Sequence, residues 1–304
     1  MVPTPGRGLA SGPLPALLDR VDRSWQLFLD VAETADLSAP TRLPGWRARE
    51  VVAHLGTWDD RGPLVEAIRS ARAGGTGEPV DPDAANADLL AAHRDATDDE
   101  VLDALRRSGA GIAAINRREL AGLAEAPAMS MLGPLPLAGL VNAGCYELAV
   151  HALDLHAAGA AAPDPALLDT GLSALIDVTG ALAARHGITI AVTAQTPEGG
   201  WRAEIESDCW TTTSSEPGPV AGPAILGTAR DILDASAGRA GVPGLLLQRR
   251  IVVADLPQFL RLAPLVDQVP GIPGAALLSR AATTITGVRG ALRKIRGVPG
   301  LRGR

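Results

Sequence analysis

Glu147 and His151 stand four residues apart in "CYELAVHALDLH", residues 145–156. On a helix that spacing puts both on one face. The residues around them (Leu148, Ala149, Val150, Ala152 and Leu153) are all apolar, and a helix that is apolar all round is normally buried. A buried carboxylate is costly unless it is paired or bound to a metal. An imidazole and a carboxylate on one buried face, joined by a second imidazole from a facing helix, make a good divalent-metal site. His54, in "LPGWRAREVVAHLG" (residues 43–56), can supply that imidazole, because it falls within an inward stripe of Val51, Leu55 and Trp58. Two histidines and one glutamate leave a coordination position open, which is the pattern of catalytic and not of structural zinc sites. The same spacing also suits a plain surface ion pair, and one inward histidine also suits a satisfied core residue. Spacing alone leaves these readings open.

Other titratable residues offer less. Asp154, three residues past His151, is placed either to hydrogen-bond a metal ligand from behind or to stand as an exposed helix acid. Cys145 lies about 200° around the helix from Glu147 and is excluded as ligand or nucleophile. His156 is off the same face. Glu50, one turn before His54, sits among Arg47 and Arg49 and reads as a solvated ion pair. His93 and His186 fall near helix ends and read as solvent-facing, while Cys209 reads as a packed core residue. The chain contains no GxSxG, Walker, GxGxxG or HExxH motif.

These residues need elements to carry them. Periodicity predicts helices over residues 14–35, from about Trp46, from a Thr97–Glu100 capping box to about Ala124, and over about 136–158. Four helices joined by connectors imply a bundle. Residues 74–88 read as an acidic Pro/Gly-rich loop and "APAMSMLGPLP" as a connector. At "AAPDPALL" a domain boundary is expected, with Asp164 capping the next helix, Pro165 at its first position and Gly187 ending it. The period then changes. "ITIAVTA" and "WRAEIES" alternate around "PEGG" as a hairpin, "CWTTT" offers a third strand, and "GPAILGTARDILDASAGR" reads as a closing helix. The expected fold class is therefore α plus α+β: a four-helix bundle over 1–160, a small α+β domain over 164–240 and a C-terminal extension over 241–304.

The chain of 304 residues carries a net charge of −6, which argues against nucleic-acid binding by the chain as a whole. From Leu245 onward, however, there are ten basic and two acidic residues, a balance of +8 against −14 for the remainder. Leu277, Ala281, Ile285, Val288, Leu292 and Ile295 form a stripe there, with Arg280, Arg289, Arg293, Lys294 and Arg296 around it. Residues 275–304 thus suit an anionic membrane surface or a partner's groove, or simply a helix packed on the body or a poorly ordered tail. Cys145 and Cys209, far apart, fit a reducing compartment. No apolar run approaches the ~20 residues of a membrane span, and the N-terminus lacks an apolar signal core. A soluble cytoplasmic protein is expected.

"LPGWRAREVVAHLGTW", followed about ninety residues later by "YELAVHALDLHAAG", resembles the mycothiol-dependent maleylpyruvate isomerase family, a branch of the DinB-like metalloenzymes. The resemblance implies a four-helix bundle that holds a divalent metal, usually zinc, through His54, Glu147 and His151. "ITIAVTAQTPEGGWRAEIES" with "GPAILGTARDILDASAGR" is similar to the family's sterol-carrier-like C-terminal domain, so the likeness spans about residues 14–240. It further implies mycothiol as thiol cofactor or co-substrate, and isomerase or S-transferase chemistry on a small electrophile. No motif carries over the residues that would bind thiol or substrate. The alternative expectation is a non-catalytic metal- or apolar-ligand-binding protein with a basic tail that docks on a membrane or partner.

Overall fold

Helix α1 (Leu14–Ala32) buries Leu17, Val21, Trp25 and Phe28 along one stripe, as their three- and four-residue spacing requires. The structure, a computed structural model, describes residues 6–58, 63–78 and 81–266. The next helices are α2 (Ala48–Leu55), α3 (Pro63–Arg72), α4 (Pro82–Ala92) and α5 (Asp98–Glu119). The capping box that opens α5 forms as its sequence suggests. Glu100 accepts the Thr97 backbone N–H at 2.6 Å, and Thr97 Oγ1 accepts that of Glu100 at 3.3 Å. A hairpin, β1 (Pro127–Ser130) with β2 (Gly133–Pro136), leads into α6 (Leu137–Ala157). Helices α1, α2, α5 and α6 pack together as the bundle.

Several details differ from the sequence expectation. Helix α2 stops at Leu55, and Trp58 lies past its end, donating its indole N–H to the Ala53 carbonyl at 2.9 Å. The acidic stretch 74–88 is partly helical, because Asp81 caps α4 by accepting the Asp83 and Ala84 N–H groups ahead of Pro82 in the first turn. In the connector before α6, Gly133 at φ +81 allows the tight reversal that pairs β1 with β2.

Asp164 caps α7 (Pro165–Arg185) by accepting the Ala166 N–H, and Gly187 follows it at φ +64. Beyond it lies a sheet of β3 (Ile190–Thr196), β4 (Gly199–Glu206), β5 (Cys209–Ser215), β6 (Ala224–Gly227) and β7 (Ile251–Ala254). Its order is β5-β4-β3-β6-β7, with β3 and β6 parallel and the other pairs antiparallel. "AILG" is thus a strand, and the helix expected there begins only after Thr228 caps α8 (Ala229–Ser236). The sheet also takes its edge strand from beyond residue 240. Leu245 on α9 (Val242–Leu247) and Ile251 on β7 bury themselves against Ala235. Short helical turns α10 (Leu256–Phe259) and α11 (Ala263–Val266) follow. The amphipathic stripe from Leu277 to Ile295 lies outside the described residues.

Helix α7 has the length and composition of a membrane span, which the sequence reading did not anticipate, but it packs between α6 and strands β4 and β5. One hydrophobic core therefore runs from Phe28 and Val51 in the bundle through Leu172 to Ile205 and Trp210 in the sheet. The fold is a helix-rich N-terminal part joined to an α+β sheet part.

Candidate metal centre

The site begins in the loop before α2. Gly45 adopts φ +79, which lets "LPGW" fold back so that the Thr41 N–H reaches the Trp46 carbonyl at 3.1 Å. Trp46 then lies edge-on to the His54 ring, centroids 5.1 Å apart. His54 occupies the last turn of α2, with Nδ1 2.7 Å from the Val51 carbonyl. A carbonyl only accepts, so Nδ1 carries the proton. Burial and the neighbouring His151 charge push the His54 pKa down to about 4. The ring is therefore neutral at pH 7, with a lone pair on Nε2.

Helix α6 supplies the other two groups. The His151 ring stands 4.7 Å from that of His54 at 79°. Its Nδ1 is 3.0 Å from Asp154 Oδ2, and its Nε2 is 3.4 Å from Glu147 Oε2. Potential ligand atoms of His54, Glu147 and His151 all lie within 4.8 Å of one another. Two ligands held about 2.0–2.1 Å from a tetrahedral zinc ion stand roughly 3.3–3.5 Å apart. The donor set and the separation between Glu147 and His151 fit such an ion. The carboxylate behind His151 is the usual partner of a metal-ligating imidazole. The Glu147 side chain is 52% exposed and that of His151 only 6%, so the site opens to solvent on the Glu147 side.

Asp154 is wholly buried and shared. Its Oδ1 accepts from Arg42 Nε at 3.1 Å and Arg239 Nε at 3.1 Å, and its Oδ2 meets His151 Nδ1 at 3.0 Å and, more distantly, Arg239 Nε at 3.3 Å. Arg42 turns its Nη1 to both oxygens of Asp234 on α8 at 2.9 Å. Burial disfavours the charged form of His151, but the bonds to Asp154 and Glu147 outweigh it and raise its pKa. Burial likewise opposes ionisation of Asp154, whereas Glu147 is half-exposed. The His151 bond and charge, aided by Arg239, win in both and hold them below the ordinary carboxylate range.

His54, Glu147 and His151 are brought together, and Asp154 stands behind His151. Cys145 is elsewhere, fully buried, its thiol pushed up to about 12 by burial. His156 bonds the Ala160 carbonyl at 3.0 Å, away from the cluster. His186 is exposed at the end of α7. Three expectations are corrected. Glu50 is not in a solvated ion pair but accepts the Arg47 backbone N–H at 2.8 Å as a cap, while Arg49 pairs with Asp98. His93 does not simply face solvent but stacks on Trp58 at 4.0 Å. Cys209 is only half-buried and bonds the Glu206 carbonyl, because it sits at the β4–β5 turn and not in the core. Arg42 and Arg239 escaped sequence reasoning, since nothing in their spacing distinguishes them in an arginine-rich chain.

A four-helix bundle that converges two imidazoles and a carboxylate, joined to an α+β module, defines the class. Residues 18–156 match the family model of the mycothiol maleylpyruvate isomerase N-terminal domain. A crystal structure of the mycothiol-dependent maleylpyruvate isomerase aligns with TM-score 0.52 at 17% identity, covering 81% of this chain and 95% of that one. A crystal structure of a histidine-to-alanine mutant of that enzyme gives the same values. At this identity the likeness is one of fold. No curated protein matches the chain. The family match thus covers the N-terminal bundle and stops short of the sheet part.

Proposed function

We propose that this protein is a divalent-metal enzyme of zinc type that uses mycothiol as cofactor or co-substrate. It would act on a small electrophile, either as an isomerase, the activity that the similar crystal structure carries in its name, or as an S-transferase. One observation carries the reading. Both imidazoles are tied back through Nδ1, His54 to a carbonyl and His151 to a carboxylate, which leaves Nε2 of each as its free ligand atom in a cluster with Glu147.

His54, Glu147 and His151 would hold the cation, with Asp154 fixing the tautomer and ring plane of His151. Bound there, the metal would supply a Lewis acid that keeps a thiol ionised at neutral pH. Among the described residues, no cysteine stands at the site. Cys145 is buried with a raised pKa, and Cys209 lies on β5. An external low-molecular-weight thiol is therefore the chemically sufficient source of the sulfur. Glu147, on the exposed side, borders the approach. For a conjugated cis alkene, addition of the thiol sulfur forms a C–S bond and opens the double bond to rotation. Expulsion of the same sulfur then restores the alkene as trans and the thiol unchanged. In a transferase the adduct leaves instead.

The test is turnover of a panel of electrophiles, conjugated cis-enoates included, by zinc-loaded protein with and without mycothiol. Thiol-dependent turnover that His54→Ala abolishes is expected. Turnover that ignores the thiol, or none across the panel, contradicts the proposal.

A further inference from the structure

We propose that Arg42 and Asp234 are positioning residues for the metal-binding His151, so that α8 completes the site from the sheet module. The inference rests on the ligand reading of His54, Glu147 and His151. It starts from a single guanidinium shared between two modules. Arg42 reaches Asp154 on α6 through Nε at 3.1 Å and Nη2 at 3.0 Å, and Asp234 on α8 through Nη1 at 2.9 Å. The side chains of Asp154 and Asp234 are 0% and 6% exposed. Buried carboxylates of this kind need a fixed cationic partner.

The contacts divide the Asp154 carboxylate between two tasks. Arg42 meets only Oδ1, Arg239 Nε straddles Oδ1 at 3.1 Å and Oδ2 at 3.3 Å, and Oδ2 lies 3.0 Å from His151 Nδ1. With Oδ1 pinned, the carboxylate cannot turn about its own axis, and the imidazole plane follows it. Asp234 in turn pins Arg42, because Nη1 meets both of its oxygens at 2.9 Å. A relay Asp234–Arg42–Asp154–His151 therefore begins in one module and ends on a ligand of the other. Arg42 also belongs to the loop that sets Trp46 against His54, so one loop orients both imidazoles. An arginine fork can serve two carboxylates in this way, and a lysine ammonium cannot hold both with the same geometry.

The experiment measures zinc dissociation constants by competition with a chelating chromophore, cobalt(II) visible spectra and thermal midpoints. It uses the full chain and its Arg42→Ala, Arg42→Lys, Asp234→Asn and combined Arg42→Lys/Asp234→Asn variants. Loss of an outer partner of a ligating histidine weakens metal binding about 10–100-fold. That loss, with shifted cobalt bands, is expected for both Arg42 variants, and a smaller loss in the same direction for Asp234→Asn. The combined variant is expected to bind no more weakly than Arg42→Lys alone, since the two groups act in series. Should Arg42→Ala fail to fold, the lysine and asparagine variants carry the test. Variants that melt lower but bind zinc as tightly as the wild type, with an unchanged cobalt spectrum, would reduce the relay to a structural clasp and overturn the inference. A wild-type chain that takes up neither metal overturns the ligand reading, and this inference with it.

Discussion

A metal held by His151 would compete with a proton for the same nitrogen. In the metal-free chain Asp154 and Glu147 raise its pKa above the ordinary 6.5. The stability this adds is complete below 6.5 and is lost as pH rises through the raised value. A cation bound as proposed would displace that proton, so the sign would reverse in the loaded protein. The rise in melting temperature on adding zinc should therefore grow between about pH 6 and pH 8. Melting curves with chelator and with zinc at each pH check this, and a pH-independent increment would contradict it. Asp154→Asn keeps the shape but loses the charge behind His151. Zinc affinity should drop about 10–100-fold in a chelator competition, and unchanged affinity would remove Asp154 from the account. At this scale the sequence was readable where one helix carried the information. The spacing put Glu147 and Asp154 each within reach of His151, because a helix fixes i,i+3 and i,i+4 neighbours. Arg42 and Arg239 were not readable, because loop geometry and the docking of α8 bring them in from 112 and 85 residues away.

Helix α6 must lie close to α7 for the apolar faces of both to be covered. Gly171 makes the approach possible, since a Cβ there would sit 2.4 Å from that of Ala149. Alanine is the better helix former, yet Gly171→Ala is expected to destabilise the protein by roughly 1–3 kcal/mol through overpacking. Urea denaturation measures it, and a more stable variant would show that α7 slides freely on α6. Local signals marked the elements that have them. Thr97, Asp164 and Gly187 set the ends of α5 and α7 as their side-chain chemistry dictates. Helix α4 was hidden because its capping Asp81 stands in a run of prolines, acids and glycines that looks like loop. The β1–β2 hairpin is only four residues a side, too short for alternation to show.

The bundle and the sheet share one core through α7, and the Asp234–Arg42–Asp154 contacts cross the same boundary. The described parts should therefore unfold as one cooperative unit. Calorimetry of the metal-free chain is expected to show a single transition whose calorimetric and van't Hoff enthalpies agree, and two separated transitions would contradict this coupling. The change of period near residue 188 revealed two kinds of structure, but not that β7 would return from beyond residue 240 to close the sheet edge. A four-residue strand after a short helix carries no sequence signature of its partner. Metal stoichiometry tests most directly whether the junction of α2 and α6 holds an ion. Elemental analysis after zinc loading and gel filtration should find about one zinc ion per chain in the wild type, as a single three-residue site requires, and almost none in His54→Ala, Glu147→Ala or His151→Ala variants that remain folded. A wild-type chain that retains no zinc, or variants that retain as much as the wild type, would contradict the account.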